Sequence, residues 1–116
     1  MAPRIESYEF GRVRVDGREY RADVIVLPER VVADWWRVEG HSLAPEDLKE
    51  VVGAKVKVLI VGTGAYGIVT APDATITYLE SHGVKVEAYD TARAVARYNE
   101  LAAAGERVAA GLHLTC

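Results

Sequence analysis

The pattern of apolar and polar positions predicts strands at the start of the chain and alternating helices and strands after it. Two alternating, β-branched stretches at residues 11–15 and 18–26 flank Asp16-Gly17, a pair typical of a tight type I′ turn. They predict an N-terminal hairpin. A loop with a short strand follows, and residues 56–61 form a nearly unbroken apolar run, typical of a strand covered on both faces.

Two helices flank that apolar strand in the predicted order. Residues 45–53 are predicted as a helix, because they begin with proline and their apolar residues are spaced three or four positions apart. Gly53 suits the left-handed position that ends a helix. Thr70 and Asp73 have the form of a capping box ahead of a helix that runs to about His82. A strand at residues 84–89 comes next.

A third helix is predicted at about residues 92–104, capped by Asp90 or Thr91, and a final strand at 107–114. Small and apolar residues recur every three or four positions along this helix and predict its buried face. That face holds Asn99 together with Ala92, Val95, Ala96, Ala102 and Ala103. A buried amide must be hydrogen-bonded, so Asn99 either satisfies backbone groups or contacts a ligand, the former being favoured. The order of elements predicts a single α/β domain over residues 1–116.

An acidic residue in the second predicted strand and a tryptophan pair in the loop after it are unusual for a purely apolar core. Asp23 shares a strand face with Arg21 and Ile25 and is free to form a buried ion pair with Arg37, which is either structural or lines a pocket. Successive side chains of an extended segment point apart, so Trp35 and Trp36 cannot both be buried on one side. One ring is expected in the core, and the other exposed or in an interface.

The glycine-rich segment Gly62-Thr63-Gly64-Ala65-Tyr66-Gly67 follows a strand, as a dinucleotide-binding turn does. However, the Thr70 cap places the next helix too late for its free amides to face the turn, and the usual acidic residue is displaced. The favoured interpretation is a sharp bend. A nest of the amides of residues 63–65 that binds a small anion stays open.

The two histidines His41 and His113 give only weak indications of a binding, metal or catalytic site. His41 precedes a predicted helix start, and a hydrogen bond from its imidazole to a nearby carbonyl is the favoured interpretation. His113 and Cys116 have an H-x-x-C spacing, but a closed zinc site needs four ligands, and a terminal thiolate has no orienting group. We therefore expect no metal, no cofactor and no catalytic residue.

Composition narrows the class of protein. Half of the residues are apolar, 27% are charged and the net charge is -3, as in ordinary globular domains, and no basic block supports nucleic-acid binding. No apolar run is long enough to span a membrane, and no secretory h-region opens the sequence, so we expect a cytoplasmic protein without membrane insertion. Glutamine is absent and asparagine occurs once, which favours a thermophilic source.

Several short motifs in order resemble one family of small α/β domains. They are Tyr8-x-Phe10-Gly11, Asp23, W-W-R-x-x-G-H at 35–41, I-V-G-T-G at 60–64, T-x-x-A-x-x-x-Y-N at 91–99 and L-H-L-T-C at 112–116. The family includes mitochondrial respiratory complex I assembly factor three and the adipogenesis-associated domain protein. No single motif is diagnostic, but the order and spacing are fairly specific.

The resemblance implies a three-layer α/β fold with a mixed central sheet and a packed N-terminal β element. The glycine-rich segment itself adds a Rossmann-like turn to the expected fold. The resemblance also maps the recurrent family positions onto this sequence, at Asp23, Trp36, Arg37, His41, Gly62, Thr63, Gly64, Thr91, Asn99 and His113. No catalytic activity is established for the family, and its best-understood eukaryotic member binds proteins. We expect no mitochondrial presequence, so that member's role is not carried over directly.

Two functional hypotheses result. The first is a non-enzymatic interaction or assembly module that also self-associates, with Trp35 and Trp36 as interface candidates. The second is a pocket for a nucleotide or anionic metabolite, where the Gly62–Gly64 loop meets Arg37, His41 and Asn99. Strand ends of open α/β sheets are the usual place for such pockets.

Overall fold

The computed structural model describes residues 2–115. Its strands are β1 (Ile5–Glu9), β2 (Arg12–Val15), β3 (Arg18–Tyr20), β4 (Val24–Val26), β5 (Val31–Val32), β6 (Val58–Gly62), β7 (Lys85–Tyr89) and β8 (Val108–Leu112). Its helices are α1 (Lys49–Gly53), preceded by a 3₁₀ turn at Pro45–Leu48, α2 (Asp73–Ser81) and α3 (Thr91–Ala103).

A five-stranded mixed sheet forms the centre of the molecule. The strand order is β5-β4-β8-β6-β7, in which β6 is parallel to both β7 and β8, whereas β4 is antiparallel to β8 and β5. The parallel strands are connected through α2 and α3, and each helix returns the chain to the end of the sheet at which the next parallel strand begins. The mixed α/β fold expected from the sequence is thus confirmed.

Helices cover both faces of this sheet and give the three layers. On one face Leu79 of α2 and Val51 of α1 pack in an apolar cluster with Leu59 of β6. On the other face Tyr98 of α3 packs in a second cluster with Ile60 of β6. Among the described helices, none has both the length and the apolar character needed to cross a bilayer.

The predicted hairpin is correct at its turn and wrong in its second strand. Asp16 and Gly17 both have positive φ and connect β2 to β3, which pair antiparallel in a separate sheet with β1, a strand that sequence analysis missed. The predicted strand 18–26 breaks after Tyr20, and its second half is β4 of the five-stranded sheet. Its alternation of faces still holds, because Ile25 lies in one apolar cluster while Val24 and Val26 lie in the other.

Two predicted helix ends are also corrected. Gly53 is the last residue of α1, but the left-handed residue after the helix is Lys55, at φ 55°. Thr70 does not cap α2: its N–H donates to His41 O at 2.9 Å, and the helix begins at Asp73 without a side-chain cap. The late start of α2 agrees with the sequence.

The buried stripe of α3 is displaced from the predicted one. Thr91, Ala94 and Tyr98 are buried, whereas the Ala92 and Ala96 side chains are exposed. Asn99 is half-buried beside the stripe. Asp90 caps the helix as expected, because its side chain accepts the N–H of Arg93 at 3.0 Å.

Candidate functional site

Asp23, Arg37 and His113 form one charged cluster beside the carboxyl end of β8. Asp23 Oδ2 lies 2.8 Å from Arg37 Nη1 and 2.7 Å from His113 Nδ1. Asp23 Oδ1 accepts the N–H of Leu114 at 2.8 Å. The carboxylate therefore joins the loop that follows β5 to the end of β8, which confirms the predicted proximity of Asp23 and Arg37 and adds His113 to it.

The hydrogen bonds of this cluster assign the tautomer of His113. Its Nδ1 lies 2.7 Å from Asp23 Oδ2 and 3.0 Å from Arg37 Nη2, but one ring nitrogen cannot donate to the first and accept from the second. A carboxylate beside a guanidinium is an acceptor, so Nδ1 carries the proton and donates to Asp23. Arg37 Nη2 then donates to Gly40 O at 2.8 Å. Nε2 of the ring faces Thr115 Oγ1, 3.4 Å away.

Burial seals the cluster from solvent. The exposed fractions of the side chains are 5% for Arg37, 15% for Asp23 and 10% for His113. Arg37 Nη1 lacks a hydrogen bond of good angle although it lies 2.8 Å from the carboxylate, so charge attraction holds that contact. A shallow depression of about 450 Å³ beside the cluster is lined by residues 39–42 and does not reach the carboxylate.

His41 lies next to the cluster and is exposed. Its ring is edge-on to that of His113, with centroids 5.9 Å apart. Its backbone carbonyl, rather than its imidazole, is the hydrogen-bonded group in the described residues, accepting from Thr70 N at 2.9 Å. The favoured interpretation of this histidine was thus wrong, since no residue from 2 to 115 forms a hydrogen bond with its imidazole.

The three amides that were open as an anion nest are all used within the protein. They donate as follows: Thr63 N to Tyr89 O at 2.8 Å, Gly64 N to Thr91 Oγ1 at 2.9 Å and Ala65 N to Thr115 O at 2.6 Å. With these donors occupied and α2 beginning only at Asp73, the turn is not of the Rossmann type, and both the nest and that expectation are wrong. The glycines serve as a bend, in which Gly64 has φ 107°.

Gly62 and Thr91 fit together at the base of this bend. Thr91 is fully buried, and its hydroxyl accepts from Gly64 N while donating to His113 O at 2.6 Å. A Cβ on Gly62 would lie 3.0 Å from that hydroxyl oxygen and 2.9 Å from Leu112 Cδ2. The absence of a side chain at Gly62 is therefore what allows Thr91 to join the loop to the end of β8.

Asn99 is not brought to the charged cluster. Its Nδ2 donates to Ile5 O at 2.6 Å and its Oδ1 accepts from Ile5 N at 3.0 Å, so one amide satisfies both backbone groups of one β1 residue. The neighbouring Tyr98 donates to Pro3 O at 2.7 Å, and burial raises the pKa of its phenol. Both side chains hold the N-terminal segment against α3, in agreement with the favoured interpretation of Asn99.

The two tryptophans separate as expected. The Trp35 ring is buried against Gly111, where an added Cβ would lie 3.1 Å from Cη2, and its Nε1 donates to Asp47 O at 3.0 Å. The guanidinium of Arg37 lies over the same ring, 4.9 Å from its centroid. Trp36, in contrast, is 86% exposed.

Trp36 is part of a larger apolar surface that sequence analysis missed. Five large hydrophobic side chains are exposed in the described chain, and we call them the apolar rim: Phe10, Trp36, Val38, Tyr66 and Ile68. The Phe10 and Tyr66 rings approach to 6.4 Å between centroids. These residues belong to three segments. Phe10 lies in the β1–β2 turn, Trp36 and Val38 lie in the loop after β5, and Tyr66 and Ile68 lie in the glycine loop, by which we mean residues 63–68 after β6.

All three segments contact residues 113–115. The β1–β2 turn does so through Gly11 N to Leu114 O at 2.8 Å, the loop after β5 through Arg37 and His113, and the glycine loop through Ala65 N to Thr115 O. Tyr8 also donates to Leu114 O, at 2.9 Å, and burial raises the pKa of its phenol, which keeps it a donor. The three segments that carry the apolar rim therefore converge at the end of the molecule that holds the charged cluster.

Asp47 is a further residue that the sequence did not single out. Its carboxylate is buried and accepts the N–H of Val38 at 3.0 Å and that of Ala44 at 2.8 Å. It thereby fixes the loop that carries Trp36. An acidic residue three positions after Ala44, at the start of the 3₁₀ turn, was the available signal.

The possible metal or thiol site at His113 and Cys116 cannot be placed, because Cys116 lies outside the described residues. Within residues 2–115, no group of three or more metal-ligating side chains comes together.

Comparison with known proteins identifies the family of this chain. Residues 5–113 match the model of a protein family of unknown function, DUF498/DUF598. The structure named MT938 is 30% identical, with a TM-score of 0.81, and the match covers 99% of this chain and 100% of that one.

Two other solved structures share the fold. An outer membrane protein from Bartonella henselae has a TM-score of 0.86 at 24% identity, over 99% of this chain and 97% of that chain. A Bordetella pertussis protein described as a Mth938-like domain has a TM-score of 0.71 at 25% identity, over 97% of this chain and 85% of that chain. The chain thus belongs to the DUF498/DUF598 family of unknown function and has a Mth938-like domain among its structural neighbours.

Proposed function

We propose that this protein is a non-enzymatic interaction module that assists the assembly of other proteins, acts in the cytoplasm and also self-associates. The observation that carries the proposal is the apolar rim. Three of its five side chains are aromatic, and at 59%, 86% and 76% exposure Phe10, Trp36 and Tyr66 present on the order of 450 Å² of apolar surface. That is within the range of the largest apolar patches of monomeric proteins, which are often functional.

The type of residue supports the same function. Tryptophan and tyrosine are enriched among the side chains that contribute most to binding between proteins. With Val38 and Ile68 added, the rim approaches the ~800 Å² that each partner buries in a standard interface. The resemblance of the motif order to complex I assembly factor three and the adipogenesis-associated domain protein also favours a binding role over catalysis.

A small-molecule site is the second candidate. The observation in its favour is the depression of about 450 Å³ lined by residues 39–42, which includes the exposed His41. The occupied amides of the Gly62–Gly64 loop weigh against a nucleotide there. Thermal-shift measurements with NAD, nucleotides, phosphate and sulfate separate the candidates, since a ligand at ~100 times its Kd adds about 2.7 kcal/mol to native stability.

Affinity capture with matched variants tests the interaction module. Trp36→Ala and Tyr66→Ala remove rim surface without touching the core, and Lys85→Ala alters a residue at the opposite end of the sheet as a control. We expect co-purified proteins, and the self-associated fraction in analytical ultracentrifugation, to be lost with the rim variants and retained with the control. Identical capture and sedimentation for all the variants would refute the proposal.

A further inference from the structure

Charge is distributed unevenly between the two ends of the molecule. The amino ends of the parallel strands lie side by side, as Lys85 N donates to Lys57 O at 2.9 Å and Lys57 N to Arg107 O at 2.8 Å. Lys55 precedes this row, and Lys49 lines a cavity with Glu29 after β4, which ends at the same side of the sheet. All four lysines of the chain are thus at the end opposite to the apolar rim.

The cations near the apolar rim, in contrast, are neutralised. Each arginine there has an acidic partner: Arg12 pairs with Glu9 beside Phe10, Arg93 with Asp90 at 3.0 Å, and the buried Arg37 with Asp23 at 2.8 Å. They leave little positive charge for a docking protein to meet.

The unpaired charges in the segment that presents the rim are negative. Asp34 and Glu39 flank Trp36 and Val38 on the loop after β5, and both are exposed. Neither forms an ion pair with any residue from 2 to 115. The rim is therefore an apolar surface with two free carboxylates beside its most exposed tryptophan.

We propose that the apolar rim docks a segment of a partner protein in which large apolar side chains alternate with lysine or arginine. This inference rests on the proposed function and specifies the chemistry of the partner. Opposite charges across an interface accelerate association and select the partner, while like charges exclude others. A second copy of this chain brings its own Asp34 and Glu39 into the interface and is the less favoured occupant at low salt.

The two occupants respond to salt in opposite directions. Screening weakens attraction between the carboxylates and a basic segment, so its affinity falls as salt rises. Screening also weakens repulsion between the carboxylates of two copies, so self-association through the rim strengthens.

Labelled synthetic peptides provide the test by fluorescence anisotropy. One peptide combines leucine, phenylalanine and lysine, and the other has glutamate in place of every lysine. We expect the basic peptide to bind the wild-type protein and not Trp36→Ala, and the acidic peptide to bind far more weakly. Asp34→Asn and Glu39→Gln are each expected to weaken the basic peptide about 1.5- to 5-fold, the range of exposed ion pairs. Asparagine tolerates the left-handed φ of 51° at residue 34.

Glu80→Gln is the matched control, because it removes one exposed carboxylate at the far end of α2 and should leave binding unchanged. Equal binding of both peptides, or an affinity independent of salt, would overturn the charge selection and leave the interaction module intact. If neither peptide binds and Trp36→Ala dissociates a wild-type dimer, the rim belongs to a second copy. If Trp36→Ala changes neither peptide binding nor sedimentation, the proposed function fails as well.

Discussion

Breaking the ion pair between Asp23 and Arg37 tests whether the charged cluster is sealed structure or an open site. Asp23→Ala removes the partner of a guanidinium whose side chain is 5% exposed, together with the acceptors of His113 Nδ1 and Leu114 N. Leaving a buried charge without its partner costs about 3–5 kcal/mol. Because a domain of this size has roughly 5–15 kcal/mol of stability, we expect Asp23→Ala to lose a large part of it.

The chain provides an exposed ion pair as a control. Glu19 and Arg21 form an ion pair with an N–O distance of 2.8 Å, the same as that between Asp23 and Arg37, but their side chains are 37% and 75% exposed. Exposed pairs contribute about 0–1 kcal/mol, so Glu19→Ala should change stability little. Urea denaturation at neutral pH, followed by circular dichroism, measures both variants.

Removing both charges separates the energy of the pair from that of its members. In Asp23→Ala/Arg37→Met the buried charge is absent, so the double variant should be more stable than the sum of the single losses implies, with a coupling of about 0.5–3 kcal/mol. If Asp23→Ala costs less than about 1 kcal/mol, as exposed pairs do, and the two changes are additive, the cluster is hydrated. The conclusion that it is sealed would then be wrong.

Three further predictions concern other contacts. Asn99→Ala should cost about 2–4 kcal/mol in urea denaturation, because it leaves both backbone groups of one buried β1 residue without partners. Gly62→Ala should cost about 1–3 kcal/mol by the same assay through overpacking against Thr91, whereas Gly53→Ala in α1, with free space around it, should be neutral or stabilising. The hydrogen bond from Arg97, and after it the one from Tyr89, lowers the pKa of Glu87 in the folded protein. The ionised Glu87 side chain therefore stabilises the fold fully above the ordinary glutamate pKa of about 4.3, and this stabilisation is lost as pH falls through the lower pKa of the folded state. Denaturation across this range should show Glu87→Gln less stable than wild type near neutral pH and the difference shrinking in acid; a constant difference would contradict the assignment.

The sequence predicts the succession of elements well because each element has a local cause. Asp90 caps α3, and Gly83 and Gly105, both at positive φ, follow the ends of α2 and α3. The strand 18–26 fails because its alternation continues unbroken through residues that pass from one sheet to the other. The alternation of apolar and polar residues predicts a strand but does not indicate which sheet that strand joins.

The candidate site is predictable in part for a similar reason. Asp23 and Arg37 are charges in apolar surroundings, and that conflict alone indicates a pair. Phe10, Tyr66 and Ile68 give no such signal, because apolar residues in turns are as compatible with a core as with a surface. Only the convergence of three distant segments on residues 113–115 makes them one surface.

The buried cluster and the apolar rim are linked through one extended segment. Along residues 35–38, burial alternates: the Trp35 ring lies inside against Gly111, Trp36 is 86% exposed, the Arg37 side chain is 5% exposed on Asp23, and Val38 is 69% exposed. Two inward anchors thus hold two outward apolar side chains in a fixed direction. Side chains that are already held in one direction lose less conformational entropy on binding, so the buried charged cluster would preorganise the proposed docking surface.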